Sequence, residues 1–182
     1  MDVPSSSHQA VVIRPCEEGD IDEITQIYGH HVRTGLASFE LEPPDAGEML
    51  RRQRQVVQRG LPYIVAETEN EIAGYAYAAP YRPRPAYRYT VENSVYVRSG
   101  QIGRGIGRML LGALLEECER RGFRQVVAVI GDSANQASIG LHRRLGFREI
   151  GVFRSVGFKF GRWVDIVVMQ RELGAADRTL PD

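Results

Sequence analysis

The period of the apolar positions changes several times along the chain, and each change marks an element. Ala10 to Arg14 reads as a first short strand. Ile21, Ile24, Ile27, Tyr28 and His31 or Val32 then recur at helical spacing. Asp20-Ile21-Asp22-Glu23 offers a capping box ahead of them, so the pattern predicts a helix to about Arg33. Gly35 to Glu42 is a loop carrying Phe39. Pro43-Pro44-Asp45 with Glu48 opens a second helix, which bears Met49, Leu50, Val56 and Val57 and ends at Gly60. Tyr63 to Ala66 and Ile72 to Ala78 read as a hairpin about the polar turn Glu69-Asn70-Glu71. Three prolines between Pro80 and Pro85 then break regular pairing.

The strand Thr90 to Val97 follows, then a glycine-rich turn and a helix to Arg121. Ile106, Met109, Leu110, Ala113, Leu114 and Cys118 fall on one face of that helix, and Gly122 supplies its stop. Gln125 to Ile130 is a continuous apolar β run, the pattern of a strand buried on both faces. Ser133 with Gln136 predicts another capped helix, closed by Gly146. Phe147 to Lys159 and Trp163 to Glu172 form strands about the Phe160-Gly161-Arg162 turn. The order β-α-α-β-β-β-α-β-α-β-β is an α/β (α+β mixed sheet) arrangement, with an antiparallel front and a parallel βαβ centre.

Length and charge narrow the classes. The 182 residues suit one domain, here expected over 10–173, with a polar, frayed start at 1–9 and a polar tail at 174–182. Lys plus Arg equals Asp plus Glu at 23 each, so net charge favours neither a nucleic acid nor a membrane partner. Cys16 and Cys118 make no disulfide framework or metal motif, and His30 and His31 have no convergent ligand set. No metal is expected. Met1 to Gln9 lacks the layout of a signal peptide and no apolar run reaches transmembrane length, so a reducing cytoplasm is the simplest location.

The chemistry concentrates around the turn from Ile102 to Gly107. Gly103, Gly105 and Gly107 remove side chains where a ligand could lie against the main chain. The unpaired first N–H groups and the dipole of the following helix make an anion site suited to a pyrophosphate. The spacing is G-x-G-x-G, not G-x-G-x-x-G, and no Lys-Ser/Thr follows Gly107. On these residues alone a nucleotide-like cofactor and a ligand-free tight connection both stay open.

Gly105-x-Gly107 after a strand resembles the acetyl-CoA loop of the GNAT superfamily of N-acetyltransferases, Arg/Gln-x-x-Gly-x-Gly/Ala. Ile102 stands where that pattern usually has Arg or Gln. The substitution weakens a side-chain contact to phosphate and leaves the backbone cradle intact. Thr90 to Val97 (TVENSVYV), Val127 to Asp132 (VAVIGD), Asn135-x-x-Ser138-Ile139-x-Leu141-His142-x-x-Leu145-Gly146-Phe147 and Gly157 to Asp165 (GFKFGRWVD) are similar to the phosphinothricin and methionine sulfoximine acetyltransferase branch. The resemblance covers about residues 11 to 173. It implies the GNAT fold, acetyl-CoA as co-substrate, a small amino-acid-like acceptor, a role in antibiotic or herbicide resistance and a homodimer.

It also implies roles for residues. Glu92 matches the proposed base of the branch, acting directly or through water, although alternation alone makes it a solvent-facing strand residue. His142 matches a histidine invoked in the branch and is otherwise a packed helix residue. Ser94, Val95, Tyr96 and Val97 would hold the thioester end of the cofactor, through the main-chain N–H groups of Val95 to Val97. Ile102, Gly103, Arg104, Gly105, Ile106 and Gly107 would cradle its phosphates, and Asn135 would touch it from the next helix. Phe39, Tyr81, Arg82, Pro83, Arg84, Val91, Glu92 and Asn93 would line the acceptor site, where a guanidinium matches a carboxylate or phosphinate. Acetylation of a protein N-terminus or a polyamine, a catalytically silent acyl-CoA-binding module and a dinucleotide-binding protein are the alternatives.

Overall fold

The structure is a computed structural model that describes residues 10–69 and 71–181. The segment 1–9, expected to fray, and the turn residue Asn70 lie outside the described residues. The elements are β1 (Val12–Pro15), α1 (Ile21–Thr34), α2 (Ala46–Gln58), β2 (Tyr63–Glu67), β3 (Ile72–Pro80), β4 (Thr90–Val97), α3 (Ile106–Arg120), β5 (Gln125–Gly131), α4 (Gln136–Arg144), β6 (Arg148–Lys159) and β7 (Arg162–Glu172). This is the order read from the sequence. The strands form one sheet, ordered β1-β2-β3-β4-β5-β7-β6. Among the described residues only β4 and β5 pair in parallel, because α3 is the long crossover that such a pair requires.

Helices cover both faces of the sheet. Ile21, Ile24, Ile27 and Val32 of α1 pack with Tyr63, Val65 and Tyr75 on one side. On the other, Ile106, Leu110, Leu111, Leu114 and Leu115 of α3 pack on Ala66, Ala76, Val91 and Ala128. Each fully buried Leu or Ile adds about 1.5–3 kcal/mol, so these two stripes hold the layers together. The α3 stripe is turned from the expected one: Met109 is exposed, while Leu111 and Leu115 are buried.

Local hydrogen bonding departs from the sequence pattern where a distant partner competes better. Asp20 forms no capping box with Glu23; its carboxylate takes two hydrogen bonds from Arg14, both 2.8 Å, and one from the Glu17 N–H at 2.8 Å. Glu23 instead accepts from the Ile72 N–H at 3.0 Å. A charged, bidentate partner outweighs a neutral cap. Asn135, not Ser133, caps α4 by accepting from the Ser138 N–H at 3.1 Å, and Ser133 donates to Asp165. The packed chain also runs past Gly174, since Ala176 is buried.

The sheet opens at its centre. β4 and β5 pair only through Thr90↔Gln125, Val91↔Val126 and Glu92↔Val127. Beyond that register β4 continues with β3 to Val97↔Gly74, and β5 continues with β7 to Gly131↔Ile166. The two strands therefore part, and Val129, expected to be buried, is exposed beside the gap. Arg98 donates its N–H to Ala73 O at 2.9 Å, so backbone alternation turns Tyr96 toward β3 and Val95 and Val97 toward the fork.

Candidate active site

A cleft of about 470 Å³ occupies this fork. Glu92, Asn93, Ser94, Val95 and Tyr96 of β4 line one wall, and Ala128 to Gly131 of β5 line the other. Asn135, Ser138 and His142 reach it from α4. Tyr28, Tyr77 and the loop residues 37–40 close the opposite side.

The loop between α1 and α2 is tied to the cleft from three directions. The ring of Phe39 lies where a Cβ on Gly157 would stand 2.2 Å away, and a Cβ on Gly131 would stand 2.0 Å from Leu36 O. Both positions need glycine for that close approach. Lys159, the chain's single lysine, is buried and donates to Ser38 O at 2.7 Å. Burial pushes its ammonium below the usual lysine range, against the opposing charge of Glu40. Glu40 in turn accepts from Tyr28 Oη at 2.8 Å and from Arg52 at 2.6 Å. Arg52 thus offsets the charge of one of the two carboxylates lining the cleft.

Glu92 is the other carboxylate. It is half-buried, and burial raises its carboxyl above the ordinary glutamate value while the positive charge of Arg82 works in the opposite direction. A carboxylate held this way is a better proton acceptor than an exposed one. Ser94 hydrogen-bonds the hydroxyl of Tyr77, whose pKa burial raises, so that tyrosine stays neutral at the cleft wall.

His142 is buried, with both ring nitrogens engaged. Nδ1 lies 2.8 Å from Ser138 O, which can only accept, so Nδ1 carries the proton. Nε2 is then the acceptor for Asn93 Nδ2 at 2.9 Å. Burial lowers the imidazole pKa, which keeps this tautomer neutral.

The fit to an acyl-CoA rests on the fork and the turn beyond it. Gly103 and Gly105 have φ of +85° and +82°, and a Cβ on either would meet nothing within 4 Å. The main chain there is bare, and the first turn of a helix such as α3 leaves N–H groups without intrahelical partners. Arg104 donates to Gln101 Oε1 and Gln101 to Glu71 Oε1, both at 2.6 Å, which braces the turn. Ile102 is exposed and Ile106 is buried under the turn. Asn135 lines the cleft, with its carbonyl oxygen committed to the α4 cap.

Some sequence-assigned residues lie elsewhere. Arg82, Pro83 and Arg84 are exposed and do not line the cleft of this chain. The Arg82 guanidinium sits 4.7 Å over the Tyr81 ring, which packs edge-on against Tyr87. Val91 is a core residue under α3. His31 is bonded through Nε2 to Val97 O at 2.8 Å, and the described residues contain no group able to hold a metal ion. Tyr28, Ser38, Glu40, Tyr77 and Ser138 line the cleft and were not singled out. Ser38 and Glu40 flank Phe39 in the same loop, which is the one signal that pointed to them; Tyr28 and Tyr77 read as ordinary core positions.

The profile of the Acetyltransferase (GNAT) family matches residues 24–147. The phosphinothricin N-acetyltransferase of Alcaligenes faecalis is 54% identical over 173 residues, covering 95% of this chain and 88% of its own. The L-methionine sulfoximine/L-methionine sulfone acetyltransferase of Pseudomonas paraeruginosa is 41% identical over 162 residues, covering 88% of this chain and 94% of its own. Among solved structures, a GNAT superfamily phosphinothricin acetyltransferase from Sinorhizobium meliloti in complex with AcCoA superposes with a TM-score of 0.92. It is 43% identical, and the match covers 94% of this chain and 93% of that one.

Proposed function

The chain belongs to the GNAT family of acetyltransferases, and on that premise we propose that it transfers acetyl from acetyl-CoA to the α-amine of a small amino-acid analogue of the phosphinothricin or methionine sulfoximine type. The observation that carries this reading is Glu92, a carboxylate with raised proton affinity at the point where β4 and β5 part. Bound acetyl-CoA supplies the activated acyl group. Val95 and Val97 hold its thioester arm through main-chain N–H groups, and the Ile102 to Gly107 turn with the α3 N-terminus holds its phosphates. As the C–N bond forms and the thioester C–S bond breaks, Glu92 takes the proton of the attacking amine, directly or through water, and CoA leaves as a thiolate that takes its proton from solvent. Transfer is direct: Cys16 and Cys118 are both buried, with thiols pushed up to about 12, so neither offers a thiolate for an acyl-enzyme.

Residues 10–176 act as one catalytic domain, in the cytoplasm, and acetylation of the amine is the basis of a resistance function. The working unit is a homodimer. Phe153, Val156, Phe158, Phe160 and Trp163 leave an exposed apolar ribbon on the β6–β7 hairpin, which suits burial against a second copy. Arg82 and Arg84, outside the cleft of their own chain, select the carboxylate end of the acceptor. Release of free thiol from acetyl-CoA across an amino-acid panel tests the reading, and no release with any amine would overturn it. Arg82→Ala should lower kcat/KM roughly tenfold or more for carboxylate-bearing acceptors and spare the matched amides. Equal losses for both classes would make the loop structural.

A further inference from the structure

The walls of the cleft divide by the two faces of the sheet. In the register of β3 with β4, Tyr75 pairs with Tyr96, Tyr77 with Ser94 and Ala79 with Glu92. Directly paired and alternate positions share a face, and Tyr75 packs with α1, so Glu92 belongs to the face that α1 covers. Asn93 belongs to the other, where Val91 packs under α3 and His142 of α4 lies 2.9 Å from its Nδ2. The cofactor turn and α4 thus share one face. The loop 37–40, which follows α1 and lines the cleft with Glu92, stands on the side of the base.

Phe39 presents its ring to the cleft from that loop, at 39% exposure, and β6 stands behind it. Gly157 and Lys159 alternate with the exposed Phe158, so both face inward. A Cβ on Gly157 would overlap Cε2, Cδ2 and Cζ of Phe39. Gly157 lies outside the positive-φ region that favours glycine, so the missing side chain serves space alone. Lys159, at 2% exposure, donates to Ser38 O at 2.7 Å, one residue before Phe39. A carbonyl paired to a buried ammonium is costly to release, which fixes the backbone from which the ring projects.

We propose that Gly157 and Lys159 are positioning residues of the acceptor chamber: Gly157 leaves the room in which the Phe39 ring lies, and Lys159 holds the backbone beside it. The proposal rests on the acetyltransferase reading above. Neither residue touches the acceptor; both act through Phe39. Because the cofactor turn and α4 lie on the opposite face, moving this ring changes acceptor binding and leaves acetyl-CoA binding alone.

The experiment compares Gly157→Ala, Lys159→Met, Phe39→Ala and the double variant Gly157→Ala/Phe39→Ala in the full chain, by steady-state kinetics with the best amine of the panel and by acetyl-CoA binding calorimetry. Gly157→Ala drives the ring toward its open side and should raise the acceptor KM roughly tenfold. Lys159→Met strands Ser38 O and should do the same. Lys159→Gln, too short to reach Ser38 O, replaces it with the same expectation if Lys159→Met shows no cooperative thermal transition. The acetyl-CoA dissociation constant should stay at the wild-type value in each. With the ring removed by Phe39→Ala, adding Gly157→Ala should change the acceptor KM by less than about twofold, since the overlap no longer exists. A merely structural glycine would cost as much in either background, and that result would overturn the proposal. An unaltered acceptor KM in Gly157→Ala or in the lysine variant, or a matching loss of acetyl-CoA affinity, would also overturn it. Absence of wild-type turnover with every amine would fail the acetyltransferase reading, and the acceptor chamber with it, before any variant is compared.

Discussion

Glu92 and Asn93 are chain neighbours whose environments differ because a strand sends successive side chains to opposite faces. The carboxylate of Glu92 is pushed upward by burial, with Arg82 opposing. Its base form is lost as pH falls through that raised value, so the acid limb of the activity profile should lie above the ordinary glutamate range. Glu92→Gln should keep acetyl-CoA binding, lower turnover by roughly 10²–10⁴ near neutral pH and abolish that limb. The deficit should shrink at high pH, where more amine is already deprotonated. Wild-type turnover by the variant across the pH range would remove Glu92 from the mechanism.

At the scale of elements, the β4 to α3 connection joins two devices in one stretch. The strand exposes backbone donors because it loses its β5 neighbour after Glu92, and the helix exposes donors because its first turn has no intrahelical partners. Gly105 lets the chain pass between them at φ +82°, where a side chain with a Cβ costs about 1–2 kcal/mol. Gly105→Val adds β-branching over the bare main chain. It should weaken CoA binding roughly tenfold or more, a loss readable by calorimetry on protein whose thermal transition is first shown to be cooperative. An unaltered dissociation constant would remove the turn from the cofactor site.

For the whole molecule, Trp163 at 66% exposure and Phe158 at 58% stack edge-on against each other at 5.2 Å on a long two-stranded hairpin. Rings of that size left in water favour burial against a partner. Replacing both by Glu should convert a dimer to a monomer in sedimentation velocity at micromolar protein. The same pair of changes should raise the KM for carboxylate-bearing acceptors if Arg82 and Arg84 act across the dimer. A wild-type protein that sediments as a monomer would overturn the dimer.

The element order, the hairpin about residues 67–72, the glycine turn and the βαβ centre were legible in the sequence because they are local: periodicity and turn chemistry act within a few residues. The family was legible for the same reason, since its motifs are contiguous runs such as Thr90 to Val97. Partner choice across the chain was not. Asp20 prefers Arg14 to its own helix, Asn135 displaces Ser133 as the α4 cap, and the sole lysine reaches Ser38, 121 residues away in sequence. The cleft itself is a property of the sheet, since it exists only because β5 leaves β4 for β7 after a short shared register. The family resemblance named Glu92, Asn93 and His142 as candidates. Tertiary structure alone decided that one carboxylate is desolvated, that the histidine is an acceptor, and that Arg82 and Arg84 lie outside the cleft of their own chain, because desolvation, tautomer and reach depend on what the fold sets against each group.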